Sequence, residues 1–200
     1  NSEVGHLTIG SGQIVLQSLN RINKAILDGS FFKNQELINS IQHAQKNDSA
    51  LHLVGLLGTG GIHAYQAHLE ALVKMAAEYK LKKVYLHLFL DGRDTGKDKG
   101  SEFLQNLQKT LEEFQCGKIA SLSGRFYGMD RNNNWDRIKL SYDSIVNGKA
   151  EEAFEDPLLA IRDSYAHNIF NEAMKPIVIE KDGKAVGEIN DNDAVIFFNF

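Results

Sequence analysis

One apolar run constrains the fold of this chain more than any other feature. Residues 83–90 (KVYLHLFL) are mostly aliphatic, β-branched or aromatic, and they stop at a charged turn around a glycine, residues 91–95 (DGRDT). A run this short, followed at once by a glycine turn, is typical of a strand buried on both faces, as in a parallel sheet. Because ligands bind outside the carboxyl ends of parallel strands, Arg93 and Asp94 are predicted to meet a substrate.

The same arrangement recurs before and after this run. Residues 51–57 (LHLVGLL) end in a glycine loop, residues 58–63 (GTGGIH). Residues 118–122 (KIASL) end in a glycine turn with two arginines, residues 123–131 (SGRFYGMDR). Strands that alternate with helices form right-handed βαβ units, so the three glycine turns are expected at one edge of a sheet.

Helix and strand patterns fill the rest of the chain. Apolar residues recur at helical spacing in five segments, residues 34–45, 64–80, 101–114, 134–146 and 157–170. Residues 176–189 hold two alternating runs around Asp182 and Gly183, a strong hairpin signal, and residues 193–199 are one further strand. The prediction is therefore an α/β fold, a mostly parallel sheet flanked by helices, with a β-hairpin late in the chain.

The composition indicates a soluble globular protein. Its 200 residues include 22 basic and 26 acidic side chains, a net charge of -4, which gives no electrostatic case for nucleic acid or a membrane as a partner. No leader and no apolar stretch of about 18 residues is visible, so a cytoplasmic location is expected. The chain opens without Met and closes within a strand pattern, which predicts a segment of a longer protein.

The first residues, NSEVGH, allow two interpretations. Ser2 and Glu3 suit the N-cap and first turn of a helix, where they meet unpaired N–H groups and the positive end of the dipole. Alternatively, Ser2 is a nucleophile at a helix N-terminus, where the same groups stabilise an attached phosphate. His6 lies one helical turn away and could reach the same region. Residues 11–18 interrupt the apolar pattern and are predicted to form a hinge or domain boundary.

Five ionisable residues are predicted to converge at the strand ends: His63, Arg93, Asp94, Arg125 and Arg131. Each alone has an ordinary explanation, since a surface ion pair contributes little. Three converging arginines, however, favour a small anion with several negative charges, because guanidinium groups match carboxylate and phosphate oxygens. The loop 58–63 partly matches a dinucleotide fingerprint, but His63 stands where the third glycine is needed, which disfavours a nucleotide-binding oxidoreductase.

These motifs together resemble the cofactor-independent, or 2,3-bisphosphoglycerate-independent, phosphoglycerate mutase family of the alkaline phosphatase superfamily. The resemblance covers essentially the whole chain. It rests on the nucleophile motif, the linker helix and the three substrate loops, namely residues 1–6 (NSEVGH), 21–26 (RINKAI), 57–63 (LGTGGIH), 90–95 (LDGRDT) and 123–131 (SGRFYGMDR). Residues 96–100 (GKDKG) depart from the family, which usually has a proline-containing loop there, and Thr59 stands where an acidic residue is common.

The resemblance implies a two-domain enzyme. Residues 1–16 would be the edge of a phosphatase-like domain that carries the nucleophile serine. Residues 17–200 would be most of the inserted phosphotransferase-like, substrate-binding domain, incomplete at its C-terminal end. It also implies that Ser2 is phosphorylated during turnover and is a ligand to one of two divalent metals, commonly Mn²⁺, with Mg²⁺ as an alternative. The remaining metal ligands would lie outside this chain.

The implied activity is the interconversion of 3-phosphoglycerate and 2-phosphoglycerate in glycolysis and gluconeogenesis, by a monomeric isomerase. The resemblance assigns phosphoglycerate binding to His63, Arg93, Asp94, Arg125 and Arg131, and Asp94 is the candidate acid or base for the glycerate hydroxyls. The chain alone is expected to bind substrate without turnover. Three alternatives stay open: a metal-dependent phosphatase-like hydrolase, a nucleotide-binding oxidoreductase domain and a non-catalytic phosphate-binding module.

Overall fold

A computed structural model describes residues 2–200 as helices packed around one main sheet. The helices are α1 (Ser2–Ser11), α2 (Ser18–Asp28), α3 (Gln35–Lys46), α4 (Gln66–Glu78), α5 (Gly100–Phe114), α6 (Arg125–Gly128), α7 (Trp135–Val146) and α8 (Pro157–Ala166). The strands are β1 (Leu51–Leu57), β2 (Val84–Leu90), β3 (Lys118–Gly124), β4 (Glu152–Phe154), β5 (Ile177–Lys181), β6 (Lys184–Ala185) and β7 (Ala194–Phe197). Short 3₁₀ turns lie at Phe31–Lys33 and Asn171–Ala173.

The sheet is mostly parallel, as predicted. Its strand order is β4-β5-β3-β2-β1-β7, with β6 paired to β5. The pairs β1–β2, β2–β3, β1–β7 and β4–β5 are parallel, whereas β3–β5 and β5–β6 are antiparallel. The predicted hairpin is confirmed as β5 and β6, although β6 has only two residues. The α/β fold class is therefore confirmed.

The central strands are buried on both faces, which explains their nearly continuous apolar sequences. Every residue of β1 is buried, and so is every residue of β2 except Tyr85. Helices cover the sheet with apolar stripes; α5, for example, buries Leu104, Leu107 and Leu111. Burying a leucine side chain stabilises a fold by about 1.5–3 kcal/mol, so this stripe alone fixes α5 on the sheet.

Side-chain caps set the starts of two helices. The Asn34 side chain accepts hydrogen bonds from the N–H groups of Glu36 and Leu37 at the start of α3. At the start of α8, Asp156 accepts from Leu158 N, and Pro157 occupies the first turn, where it loses no hydrogen bond. These local signals explain why the starts of α3 and α8 lie within one residue of their predicted positions.

Some packing predictions are wrong. The sequence pattern predicts that Trp135 and Tyr142 pack α7 against the sheet, but they are 68% and 56% exposed. The helix instead turns the small residues Ser141 and Ser144 inwards. His68 lies on the buried face of α4, and its Nε2 lies 2.8 Å from Asn23 Oδ1. Small side chains allow α7 a close approach that a large indole would prevent.

The N-terminal segment contributes nothing to the core. None of the residues of α1 is buried. Ser2 is the first residue of that helix, so the prediction of Ser2 as its N-cap is wrong by one position, whereas Glu3 lies in the first turn as predicted. Residues 13–17 are not helical, so a break occurs inside the predicted hinge at residues 11–18. Within residues 2–200, no helix has both the length and the apolar character to cross a membrane.

A chain of buried polar side chains crosses the middle of the sheet. His52 Nδ1 and His87 Nε2 lie 2.9 Å apart. On one side, His52 Nε2 lies 3.2 Å from Asp193 Oδ2; on the other, His87 Nδ1 lies 2.9 Å from Ser121 Oγ. Burial lowers the pKa of His87 to about 3. Burial also lowers the pKa of His52, although Asp193 opposes that effect. Hydrogen bonds thus join strands β1, β2 and β3 through neutral imidazoles.

Candidate anion-binding site

The three central strands end at the same edge of the sheet. Leu57 of β1 pairs with Leu90 of β2, and Leu90 in turn pairs with Gly124 of β3. The segments that follow are the glycine loop 58–63, the charged turn 91–95 and the short helix α6. His63 comes from the first of these segments, Arg93 and Asp94 from the second, and Arg125 from the third, so the register itself brings these four residues to one edge. Arg131 lies three residues after α6.

A buried carboxylate, Asp91, organises the charged turn. Its side chain is 2% exposed. Oδ1 accepts weak hydrogen bonds from the N–H groups of Arg93 and Asp94, both at 3.3 Å, and Oδ2 accepts from Thr95 Oγ1 at 2.9 Å. An aspartate that bonds the backbone two and three residues ahead fixes the path of a turn. The sequence motif 91–95 contains Asp91 but does not predict this role.

Arg125 joins this turn to the end of β3. Its Nη1 donates to Asp91 Oδ1 at 2.7 Å and to Asp94 Oδ2 at 2.6 Å, and the side chain is only 10% exposed. Burial lowers the pKa of this guanidinium, but the hydrogen bonds to both carboxylates outweigh burial and leave the pKa above its ordinary value. Arg125 is therefore a fixed cation, in direct contact with Asp94, its predicted partner in substrate binding.

The glycine loop packs against the same turn. A Cβ atom at Gly60 would lie 2.8 Å from the carbonyl oxygen of Asp94, so only glycine allows the two segments to approach this closely. His63, three residues further on, is exposed. Its carbonyl oxygen accepts a hydrogen bond of 2.7 Å from Phe200 N, which ties the end of the loop to the residues after β7.

The other two arginines are exposed and differ in their surroundings. Arg93 is 61% exposed, with Nη1 at 3.8 Å from Glu172 Oε1. Arg131 is exposed and, among residues 2–200, makes no hydrogen bond or ion pair. It follows Asp130, whose carboxylate accepts from Asn134 Nδ2 at 2.7 Å and from Arg137 Nη1 at 2.9 Å. The backbone beside Arg131 is thus held while its guanidinium is free to bind an anion.

A distant turn, residues 171–174, completes this edge of the sheet. Asn171 is 1% exposed; its N–H donates to Lys97 O at 3.1 Å, and its side-chain amide donates to Gly96 O at 3.3 Å. Met174 O accepts from Gly124 N at 2.7 Å. The turn therefore holds the segments after β2 and β3 together. No motif in residues 171–174 (NEAM) predicts this role.

Ser2 stands apart from the five predicted substrate residues. It is exposed, and its carbonyl oxygen lies 2.6 Å from His6 Nδ1, one turn further along α1. No hydrogen bond or ion pair among residues 2–200 joins Ser2 to His63, Arg93, Asp94, Arg125 or Arg131. The structure thus brings together the segments that carry His63, Arg93, Asp94 and Arg125, with Asp94 and Arg125 in contact. The roles of Arg131 and Ser2 stay predictions.

The described residues do not by themselves fit a metal centre. Among residues 2–200, no group of three or more histidine, cysteine, aspartate or glutamate side chains is arranged to hold a metal ion. Ser2 Oγ supplies one oxygen, and divalent metals such as Mg²⁺ and Mn²⁺ need several oxygen or nitrogen ligands.

Comparisons with known proteins agree on one family. The model of the family described as "BPG-independent PGAM N-terminus" matches residues 22–200. The 2,3-bisphosphoglycerate-independent phosphoglycerate mutases of Listeria monocytogenes and Clostridium novyi are each 50% identical over 200 residues, which is 100% of this chain and 39% of each relative. The chain thus spans about two-fifths of the length of these relatives.

A solved structure agrees with the sequence comparisons. The crystal structure of Leishmania mexicana phosphoglycerate mutase at low cobalt concentration matches with a TM-score of 0.90 and 28% identity, over 100% of this chain and 38% of that protein. The fold, the matched family residues and the identity to the curated relatives lead to the same conclusion. This chain belongs to the BPG-independent PGAM N-terminus family, the N-terminal part of the 2,3-bisphosphoglycerate-independent phosphoglycerate mutases.

Proposed function

We propose that this chain binds phosphoglycerate at the edge where β1, β2 and β3 end, as the substrate-binding part of a 2,3-bisphosphoglycerate-independent phosphoglycerate mutase. One observation carries the proposal: Arg125, whose side chain is 10% exposed, is held at this edge as a fixed cation by Asp91 and Asp94, and Arg93 lies in the same turn as Asp94. Arg131 follows three residues after the helix that begins with Arg125. Both phosphoglycerates carry a carboxylate and a phosphate, the two groups that guanidinium forks bind best.

The structure supports different roles for these side chains. Arg93 and Arg131 are exposed and bind the carboxylate and phosphate oxygens, and His63 adds a ring nitrogen from the neighbouring loop. Arg125 is held in place by its two carboxylates. A cation that is already positioned binds an anion without further ordering of its side chain. Asp94 uses Oδ2 for Arg125. Its other oxygen accepts a proton from a glycerate hydroxyl during transfer.

In the longer protein, Ser2 is the nucleophile. Its Oγ forms a bond to phosphorus while the bond from phosphorus to the 3-oxygen of 3-phosphoglycerate breaks, which leaves a phosphoserine and bound glycerate. The phosphoryl group then returns to the 2-oxygen, and Ser2 regains its proton. Atoms balance without another reactant, so the reaction is an isomerisation. The arginines hold the glycerate between the two transfers and thereby prevent net hydrolysis.

Two divalent metals, commonly Mn²⁺ in this family, belong to the longer protein. When bound, such ions lower the pKa of a coordinated hydroxyl and neutralise phosphoryl charge. Ser2 Oγ is the one ligand proposed from this chain, and the remaining ligands come from the other three-fifths of a full-length relative. A chelator should therefore abolish turnover by the longer protein, and Mn²⁺ should restore it without added 2,3-bisphosphoglycerate. Turnover that survives metal removal would contradict this role.

The same proposal divides the chain at the predicted hinge. Residues 1–16 are the edge of the phosphatase-like domain, and residues 17–200 are the phosphotransferase-like domain. The absence of buried residues in α1, within the described part of the chain, supports the division. We further propose a cytoplasmic monomer whose partners are the two phosphoglycerates rather than nucleic acid, in keeping with a net charge of -4.

Titration of the 200-residue chain with 3-phosphoglycerate tests the binding site. Amide NMR signals of Gly60, Gly92 and Gly124 should shift together, and Arg93→Gln should weaken the response. Lys82→Gln is the matched control, because it removes an exposed positive charge at the opposite end of β2. Shifts confined to other regions, or equal effects of the two substitutions, would contradict the proposed site.

The alternative function is that of a phosphatase-like hydrolase. The products that the longer protein forms distinguish a hydrolase from a mutase. A hydrolase would release free glycerate and inorganic phosphate from 3-phosphoglycerate. A mutase should yield 2-phosphoglycerate and no stoichiometric phosphate. Since the arginines at this edge serve to hold glycerate, phosphate release at the rate of substrate loss would refute the mutase assignment.

A further inference from the structure

The turn at residues 171–174 places a glutamate beside one of the candidate substrate-binding arginines. Glu172 Oε1 lies 3.8 Å from Arg93 Nη1, and the two side chains are 41% and 61% exposed. We propose that Glu172 is a positioning residue: its carboxylate holds Arg93 while the site is empty, and a phosphoglycerate anion displaces it. This inference rests on the proposed function and concerns the same site.

The position of Glu172 is built into the fold. A Cβ atom at Gly92 would lie 3.0 Å from Glu172 N, and a Cβ atom at Gly124 would lie 2.1 Å from Glu172 O. Two glycines, each at the end of a different strand, therefore leave room for the backbone of this residue. Since the turn is also bonded to Lys97 and Gly124, Glu172 cannot move away from the charged turn without opening the edge of the sheet.

Arg93 combines a fixed backbone with a movable side chain. Its N–H donates to the buried Asp91, so its Cα position is set. Among residues 2–200, its guanidinium has no ion pair other than the long one to Glu172. An exposed pair at this distance is weak, because water screens both charges. An incoming anion can therefore displace Glu172 from Arg93 with little loss of free energy, and the charge of the anion replaces that of Glu172.

The charges at this edge explain why the Glu172 carboxylate should change the affinity for an anion. Asp91 and Asp94 pair with Arg125, and Glu172 lies beside Arg93. Arg125 is already neutralised by its two carboxylates. While Glu172 pairs with Arg93, Arg131 is the candidate substrate-binding arginine that has no counter-ion among residues 2–200. Removal of the Glu172 charge should therefore raise the affinity for an anion, whereas loss of a merely structural residue would lower it.

A double-mutant cycle in the 200-residue chain tests this inference. The dissociation constant of 3-phosphoglycerate is measured by NMR titration for the parent chain, Glu172→Gln, Arg93→Gln and the double variant. Glu172→Gln should tighten binding about two- to fivefold, the range that corresponds to an exposed ion pair. In the Arg93→Gln background, the same substitution should have no effect. Glu78→Gln, at the far end of α4, removes an equal charge and should change nothing.

The results distinguish a failure of the Glu172 inference from a failure of the proposed function. Unchanged or weaker binding by Glu172→Gln, or an equal gain without Arg93, would overturn the inference while leaving the proposed function intact. If the parent chain does not bind 3-phosphoglycerate at this edge, the proposed function fails instead. The counter-ion contact is then read without ligand, from NMR relaxation of the Arg93 side chain. Its mobility should rise in Glu172→Gln, and unchanged mobility would overturn the inference.

Discussion

Acid should destabilise this fold through the buried imidazoles in the middle of the sheet. The Asp193 carboxylate only accepts hydrogen bonds, so His52 Nε2 donates to it and His52 Nδ1 is left as an acceptor. His87 Nε2 must then donate to His52, and His87 Nδ1 accepts from the Ser121 hydroxyl. Each imidazole therefore needs only one proton to make its two hydrogen bonds. A second proton would add a buried positive charge and no further hydrogen bond.

The sign and size of the effect follow from the pKa of His87. Burial, and the neighbouring His52, lower it from 6.5 to about 3, so the folded chain keeps His87 neutral where the unfolded chain takes up a proton. Stability from this group is therefore complete above the unfolded value and is lost as pH falls below it. Because pH 5 lies about 1.5 units below the pKa of the unfolded chain, His87 lowers the free energy of unfolding there by about 2 kcal/mol. His52 acts in the same direction.

Urea unfolding followed by circular dichroism at pH 7 and pH 5 measures this loss. The His87→Gln variant keeps a polar side chain but cannot titrate. At pH 7 it should be less stable by about 1–3 kcal/mol, because hydrogen bonds to His52 and Ser121 are lost. Between pH 7 and pH 5, however, it should lose about 2 kcal/mol less than the parent chain.

The exposed His167 provides the control for this experiment. Its side chain is 68% exposed, so it lies outside the buried chain of imidazoles. The His167→Gln variant should therefore follow the pH dependence of the parent chain. Equal pH dependence of the parent chain and His87→Gln would refute the reasoning, because it would mean that His87 takes up no proton on unfolding.

Three further substitutions test other parts of the molecule. Gly124→Ala should destabilise the chain by at least ~3 kcal/mol in urea unfolding, because the new Cβ would lie 2.1 Å from Glu172 O; Gly10→Ala, with nothing within 4 Å, is the control. Arg125→Ala should cost about 3–5 kcal/mol in the same assay, since it leaves the buried Asp91 carboxylate without its cation; a loss no larger than that caused by replacing an exposed arginine with alanine would contradict this. In the longer protein, Ser2→Ala should abolish mutase turnover with an unchanged melting temperature, and residual turnover would exclude Ser2 as the nucleophile.

The sheet edge could be predicted because its signals are local. Strands buried on both faces read as short apolar runs, and the handedness of βαβ units places the ends of successive parallel strands together. Arg93, Asp94 and Arg125 were therefore placed at one edge from the order of runs and turns alone, and Asp94 and Arg125 are in contact.

The parts that could not be predicted depend on long-range contacts. Asp91 precedes a glycine, as many turn aspartates do, and nothing in the sequence distinguishes a buried carboxylate from a solvated one. Its burial depends on Arg125, 34 residues away. The Asn171 amide bonds Gly96 across 75 residues, and no periodic pattern records such a contact. The insertion of β5 between β4 and β3 is of the same kind, since its antiparallel pairing reverses the rhythm of the first three strands.

The buried ion pair at Arg125 makes more sense as part of a binding site than as a source of stability. Removing a guanidinium and a carboxylate from water costs several kcal/mol, so an apolar pair of similar size would serve the fold at least as well. Nη1 supplies both hydrogen bonds to Asp91 and Asp94. A guanidinium has five N–H donors, so Nη2 and Nε remain for a ligand. In the proposed function, such a cation would bind an anion without losing side-chain freedom, while the exposed Arg93 and Arg131 would adjust around that anion.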